Sequence, residues 1–225
     1  MGAGLRLAIT REMPPLDPAL DAEVDRLWAI ASTRATLFNG RIFCADRVTP
    51  NLIEGHWTEY RRLTAQMADH SLLPRLRVHS LAVCGVVLGP DGVAVGRREP
   101  RASYQPGLWQ LPPAGSVDSG SALPGGADWR HALHNELREE LALREYEVHD
   151  MRPLCLVQHP SGVLDLGVQI DTELRGPEIL ARQRTAPDQE YDSLFVAPPE
   201  DIPAEVAARG GELVPPAYAF LRRIH

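Results

Sequence analysis

Three glutamates, Glu136, Glu139 and Glu140, form the densest group of chemically capable side chains in this sequence. They sit in a helix-compatible run, His134-Asn135-Glu136-Leu137-Arg138-Glu139-Glu140-Leu141-Ala142-Leu143, behind a loop rich in glycine and proline. At roughly 100° per residue the three acids share one helix face while Leu137 and Leu141 turn away from it. Unpaired like charges at these spacings destabilise a helix by a few tenths of a kcal/mol per pair, about the size of one surface ion pair. A bound Mg²⁺ or Mn²⁺, which prefers oxygen ligands, would remove that repulsion. A solvated acidic face has the same pattern, so the helix by itself leaves both readings open.

The elements that must position this helix lie upstream. A strand-like run, Leu81-Ala82-Val83-Cys84-Gly85-Val86-Val87-Leu88, is followed by Gly92-Val93-Ala94-Val95-Gly96-Arg97-Arg98 and then by Leu108-Trp109-Gln110-Leu111-Pro112-Pro113-Ala114-Gly115. A strand pair ending in arginine, a Trp-x-Leu-Pro approach, a loop glycine and an acidic helix together resemble the Nudix hydrolase family. The family's helix pattern is Arg-Glu-apolar-x-Glu-Glu-x-Gly-apolar, and three departures stand out here. Asn135 replaces an arginine that orients a catalytic glutamate. Ala142 replaces the glycine at the helix end, which removes the usual left-handed cap if the residue stays helical. About six extra residues within Ser119–Gly126 leave Ala127 where the family's first glutamate falls.

The resemblance implies an α+β fold: a Nudix α/β/α sandwich with a mixed β-sheet, over residues 76–225, preceded by an α/β extension over residues 1–75. It implies a pyrophosphohydrolase that cleaves a nucleoside diphosphate linked to another group, with Mg²⁺ (or Mn²⁺) neutralising the charge that shields the diphosphate from water. Glu136, Glu139 and Glu140 would ligate the metal, with the Gly115 carbonyl as a further ligand. Glu136 and Glu190 are the candidate bases, Glu190 because it sits just before the last core strand. Arg97 and Arg98 alternate in facing on a strand, so only one can reach the site and grip phosphate bidentately. Trp109 is a substrate candidate that could stack on a base, but the family's equivalent tryptophan is often a packing residue, and packing is the favoured reading. Tyr104 and Gln110, in the loop leading in, complete the substrate candidates.

Composition limits the remaining classes. With 44% hydrophobic and 24% charged residues, the chain can bury a sizeable core. Its longest apolar stretch is about eight residues, against the roughly 20 that a membrane helix needs. No basic-then-apolar leader opens it, which points to the cytoplasm. Cys44, Cys84 and Cys155 lack metal-type spacing and suit buried thiols in a reducing compartment. A net charge of −7 disfavours nucleic acid as a partner and leaves small phosphate esters open. Homodimerisation is compatible with the sequence.

Along the chain, Leu5–Thr10 reads as a strand, and Asp17–Thr33 as an amphipathic helix with Leu20, Val24, Leu27 and Trp28 at helical spacing. Asn39-Gly40 signals a turn into a short strand that pairs with Asn51–Trp57. Thr58–Asp69 is predicted helical with Thr58 as its cap. Beyond the acidic helix, Tyr146–Gln158 and Gly162–Thr172 read as a hairpin turning at His159-Pro160-Ser161-Gly162. In its second arm, Asp165, Gly167 and Gln169 alternate with Leu164, Leu166, Val168 and Ile170. A last strand, Ser193–Val196, precedes helical pieces near Ala204–Arg209 and Ala217–Arg223. The patternless Ser119–Gly126 is expected to be a mobile loop.

The N-terminal third carries a finer resemblance. Leu37-Phe38-Asn39-Gly40-Arg41-Ile42-Phe43, Gly55-His56-Trp57-Thr58-Glu59-Tyr60-Arg61, the long pre-helix loop and the divergent helix motif are similar to the Nudix branch that hydrolyses UDP-sugars such as UDP-glucose. That likeness implies cleavage to UMP and glucose 1-phosphate, with the N-terminal segment shaping the pocket. The alternative is a Nudix-fold module that binds a nucleotide without cleaving it, which Asn135 would favour and the three retained glutamates would not.

Overall fold

The structure, a computed structural model, describes residues 4–33, 37–102 and 105–224. The N-terminal part runs β1 (Arg6–Ile9), α1 (Pro18–Ser32), β2 (Arg41–Val48), β3 (Leu52–Glu59), α2 (Tyr60–Ala68) and α3 (Leu73–Leu76). There follow β4 (Leu81–Gly89), β5 (Gly92–Arg98), β6 (Trp109–Gln110), β7 (Ala114–Ser116), β8 (Ala122–Leu123), β9 (Gly126–Ala127) and α4 (Trp129–Leu141). The chain closes with β10 (Asp150–Gln158), β11 (Leu164–Asp171), α5 (Gly176–Gln183), β12 (Tyr191–Ala197), α6 (Ile202–Ala208) and α7 (Pro215–Leu221).

The central sheet has the order β10-β11-β4-β5-β12, with β6 on β5 and β7 on β4. It is mixed, because β11 pairs with β4 in parallel while its other neighbours pair antiparallel. Strand alternation assigns its faces. Leu81, Val83 and Val87 of β4, with Leu164, Leu166, Val168 and Ile170 of β11, pack against Trp129, Leu133, Leu137 and Leu141 of α4 and Ile179 of α5. Cys84, Val86, Val93 and Val95 on the opposite face meet Ile202 and Val206 of α6 and Ala217 and Phe220 of α7. The result is the expected α+β sandwich, helices on both sides of a mixed sheet.

The second sheet has the order β2-β3-β1-β9-β8. Two of its strands come from Ser119–Gly126 and the residue after it, which corrects the expectation of a mobile loop. Asp118 accepts from the Gly120 N–H at 2.9 Å, and β9 pairs with β1 through Leu7↔Ala127 and Ala8↔Gly126. Only glycine fits at 126, since a Cβ there would lie 2.3 Å from the Leu7 carbonyl oxygen. Leu5, Leu7, Phe43 and Ile53 from this sheet share one core with β4, β11 and α4.

Two further boundaries differ from the sequence expectation. β3 continues through Glu59, so Thr58 is a buried strand residue opposite Ile42 and not a helix cap. Glu145–Glu147 forms a short 3₁₀ turn, and the strand predicted from Tyr146 begins at Asp150. The hairpin turn is as expected, with the His159 N–H donating to the Val163 carbonyl at 2.8 Å.

Candidate active site

β4 and β5 pair only at Leu88↔Val93 and Gly89↔Gly92, then part. β7 lines one arm of the gap (Cys84↔Ala114, Val83↔Gly115, Ala82↔Ser116) and β6 the other (Gly96↔Gln110, Arg97↔Trp109). The acidic face of α4 lies against β7. Its helix starts cleanly because the Asp128 side chain accepts from the N–H groups of Arg130 and His131. It ends on Ala142, which does adopt the left-handed conformation (φ 52°, ψ 26°), with its N–H on the Leu137 carbonyl. The cap expected to be lost is therefore kept, in a conformation where an alanine costs roughly 1–2 kcal/mol more than a glycine.

The three glutamates do not share one environment. A Cβ placed on Gly115 would lie 2.0 Å from Glu136 Oε1, so the glycine is what lets this carboxylate lie against the loop. Burial, then Glu139, Glu190, Asp118 and Asp188, push the Glu136 carboxyl up to about 8. Glu140 is 2% exposed. It accepts from the Ala114 N–H at 3.2 Å and from the Tyr191 hydroxyl at 2.6 Å, and Gln110 Nε2 in turn donates to that hydroxyl at 2.6 Å. Burial raises the Glu140 carboxyl well above the ordinary range, and Glu136 and Glu190 add to it. Glu139 is half-exposed and pairs with Arg138 at 2.7 Å.

Beside these residues, Arg98 pairs with Glu190 at 3.0 Å, and both line a cavity of about 240 Å³ together with Gly115. Arg98 is the buried member of the arginine pair, and its Nε has no hydrogen-bond partner. Arg97 points away, bidentate to Asp192 at 2.7 and 3.0 Å. Trp109 packs, as the favoured reading has it, and leaves the set of substrate candidates: it is 1% exposed, lies edge-on to Phe195 at 5.2 Å, and is absent from the cavity lining. Tyr104 lies outside the described residues. Gln110 does line the cavity. So do Tyr60, Leu63 and Met67 of α2, Ser80 just before β4 and Asp165 of β11, none of them a site candidate from the sequence.

Among the described residues, no group of three or more His, Cys, Asp or Glu side chains is gathered as a ready-made metal cage. The donor chemistry nevertheless fits a hard divalent cation. The carboxylates of Glu136, Glu139 and Glu140 and the Gly115 carbonyl offer only oxygen, and the acidic crowding of Glu136 is a field that a cation relieves. All three cysteines are free thiols, with Cys44 and Cys84 buried. No helix among the described residues is long and apolar enough to cross a membrane.

No family profile matches the sequence, and no curated protein matches it. Solved structures similar to this chain include Nudix proteins. DR0079 from Deinococcus radiodurans aligns at 19% identity over 65% of this chain and 83% of its own, with a TM-score of 0.48. The MutT Nudix hydrolase from Burkholderia pseudomallei aligns at 18% identity over 65% of this chain and 98% of its own, with a TM-score of 0.46. The Nudix domain of Shewanella oneidensis NrtR, solved with ADP ribose, aligns at 14% identity over 69% of this chain and 95% of its own, with a TM-score of 0.47.

Proposed function

We propose that this chain is a metal-dependent pyrophosphohydrolase of the Nudix type, cleaving UDP-glucose or a close nucleoside diphosphate derivative to UMP and glucose 1-phosphate. The observation that carries the reading is the mutual crowding of the carboxylates of Glu136, Glu140 and Glu190 next to a cavity that Gly115, Glu190 and Arg98 line, with Glu136 lying against Gly115 and Glu190 paired with Arg98.

Glu136, Glu139, Glu140 and the Gly115 carbonyl would hold Mg²⁺ or Mn²⁺. When bound, such an ion supplies positive charge that offsets the repulsion between a diphosphate and an incoming water. The rest falls to the chain's own groups. Arg98, which lines the cavity and pairs with Glu190, would bind a phosphate oxygen there. The Tyr191 hydroxyl and the Ala114 N–H fix the Glu140 carboxylate, so it enters the reaction already oriented. Glu136, whose carboxylate lies against the Gly115 loop, is the preferred base. Glu190 is the alternative base. Apolar walls from Leu63 and Met67 exclude bulk water.

A second reading, a binding module without turnover, rests on Asn135. It brings no charge to the helix, and the nearby Arg138 is paired with Glu139. Product analysis on UDP-glucose, ADP-ribose and dinucleoside polyphosphates with Mg²⁺ separates the readings. Equal amounts of UMP and glucose 1-phosphate are expected. Cleavage of ADP-ribose but not UDP-glucose would overturn the substrate assignment, and no cleavage of any of them under several metals would favour the binding module.

A further inference from the structure

Within the same cavity, two polar groups, one just before β4 and one on β11, have no part in the proposed hydrolysis. Ser80 is 1% exposed, and its hydroxyl has no hydrogen-bond partner. Asp165 is 8% exposed and pairs through Oδ2 with His159 Nε2 at 2.6 Å. A carboxylate has about four acceptor directions, so this one keeps capacity toward the cavity that it lines. His159 stands behind it, outside the lining, at hydrogen-bond distance from its carboxylate.

The register sets the distance to the glutamates. Asp165, Ala82 and Ser116 form one row across β11, β4 and β7. Asp165 thus stands two strand spacings, roughly 10 Å, from the loop that carries Gly115. Ser80 precedes Ala82 by two residues and points to the same face. Between these polar groups the lining is apolar, with Leu63 and Met67 of α2, Val163 and Phe220. The fully buried Gln66 of α2 braces both sides: its Nε2 donates to the Val78 carbonyl at 2.8 Å and the Ser161 carbonyl at 2.6 Å, and its Oε1 accepts from the Val78 N–H at 2.9 Å. The N-terminal helix therefore fixes the segment before Ser80 and the turn between His159 and Asp165.

We propose that Ser80 and Asp165 form a sugar subsite that binds adjacent hydroxyls of the substrate's sugar ring, an inference that rests on the hydrolase reading above. A hydroxyl pair supplies two donors to the Asp165 carboxylate and a partner that can both donate to and accept from Ser80. The ring's C–H faces fit the apolar walls. A phosphate is disfavoured there by the carboxylate and is drawn instead to Arg98, which orients the substrate with its diphosphate toward Gly115. The diol belongs either to the hexose or to the ribose, and the experiment distinguishes them.

Titration calorimetry on the full chain would compare glucose 1-phosphate with its 2-deoxy analogue, and UMP with dUMP, for wild type, Ser80→Ala and Asp165→Asn. In wild type, the hydroxylated member of one pair is expected to bind about tenfold more tightly than its deoxy analogue, and that preference should fall to within about twofold in Asp165→Asn. Should Asp165→Asn fail to fold because His159 loses its partner, Ser80→Ala carries the same test. Equal binding within both pairs in wild type, no binding of any of the four, or a preference unchanged in the variants would overturn the subsite. Hydrolysis of UDP-glucose measured in parallel keeps the two claims apart. Turnover without hydroxyl preference removes the subsite alone, and preference without turnover removes the hydrolase reading alone.

Discussion

Replacing Glu136 with glutamine should make the metal-free protein more stable, and the gain should depend on pH in a defined way. Its carboxyl is held up to about 8 against an ordinary 4.5. At about 1.36 kcal/mol per pKa unit, that gap caps the cost of the charged form at roughly 5 kcal/mol. Side-chain rotation toward water and residual structure in the unfolded chain reduce it, so a gain of ~2 kcal/mol is expected, or roughly 4–8 °C in melting temperature for a chain of this size. Between pH 4.5 and about 8 the folded state holds a proton that the unfolded chain has released, so wild-type stability falls as pH rises through that window. Below it both states are protonated, and the two proteins should melt together. Above it the gap should be constant. Thermal melts in EDTA from pH 4 to 9 measure this directly, and Mg²⁺ added at pH 8 should raise the wild-type melt more than the variant's. A variant no more stable than wild type at pH 8.5, or a gap that does not close toward pH 4.5, would refute the burial and crowding assigned to Glu136.

Three further substitutions probe the site and its scaffold. Ala142→Gly should stabilise the protein by about 1 kcal/mol in urea unfolding, because the left-handed conformation at the helix end is retained and glycine adopts it freely. Gly115→Ala should remove turnover while leaving the fold detectable by circular dichroism, since the new Cβ occupies the place of Glu136 Oε1. Tyr191→Phe should cost roughly 1–3 kcal/mol and slow hydrolysis, because Gln110 and Glu140 both lose their buried partner.

The sandwich was legible because its signals are local and periodic. The alternation in β11 and the apolar stripe Leu133-Leu137-Leu141 each specify a face. The second sheet was not legible in full, since β8 and β9 are two residues long and carry no periodicity. They exist only because β1 offers an edge to pair with. Helical arithmetic puts Glu136, Glu139 and Glu140 on one side of α4 but cannot rank them. Glu139 and Glu140 are adjacent, hence roughly 100° apart around the axis. One therefore reaches solvent beside Arg138, while the other meets the buried seam beside Leu137 and Leu141. Trp109 sits on a two-residue strand, which gives no facing signal, whereas alternation along β5 does send Arg98 and not Arg97 to the cavity. Asp165 and Ser80 were passed over because nothing in the sequence shows that the sheet parts in front of them.

The most direct test of metal-assisted hydrolysis at the α4 face is Glu139→Gln. This side chain is half-exposed and its ion pair is with its neighbour Arg138, so the fold should be untouched. Phosphorus NMR of UDP-glucose with Mg²⁺ would follow wild type and variant side by side. The expected result is conversion to UMP and glucose 1-phosphate by wild type and loss of that conversion in the variant at an unchanged melting temperature; turnover by Glu139→Gln at the wild-type rate would contradict the assignment of this face.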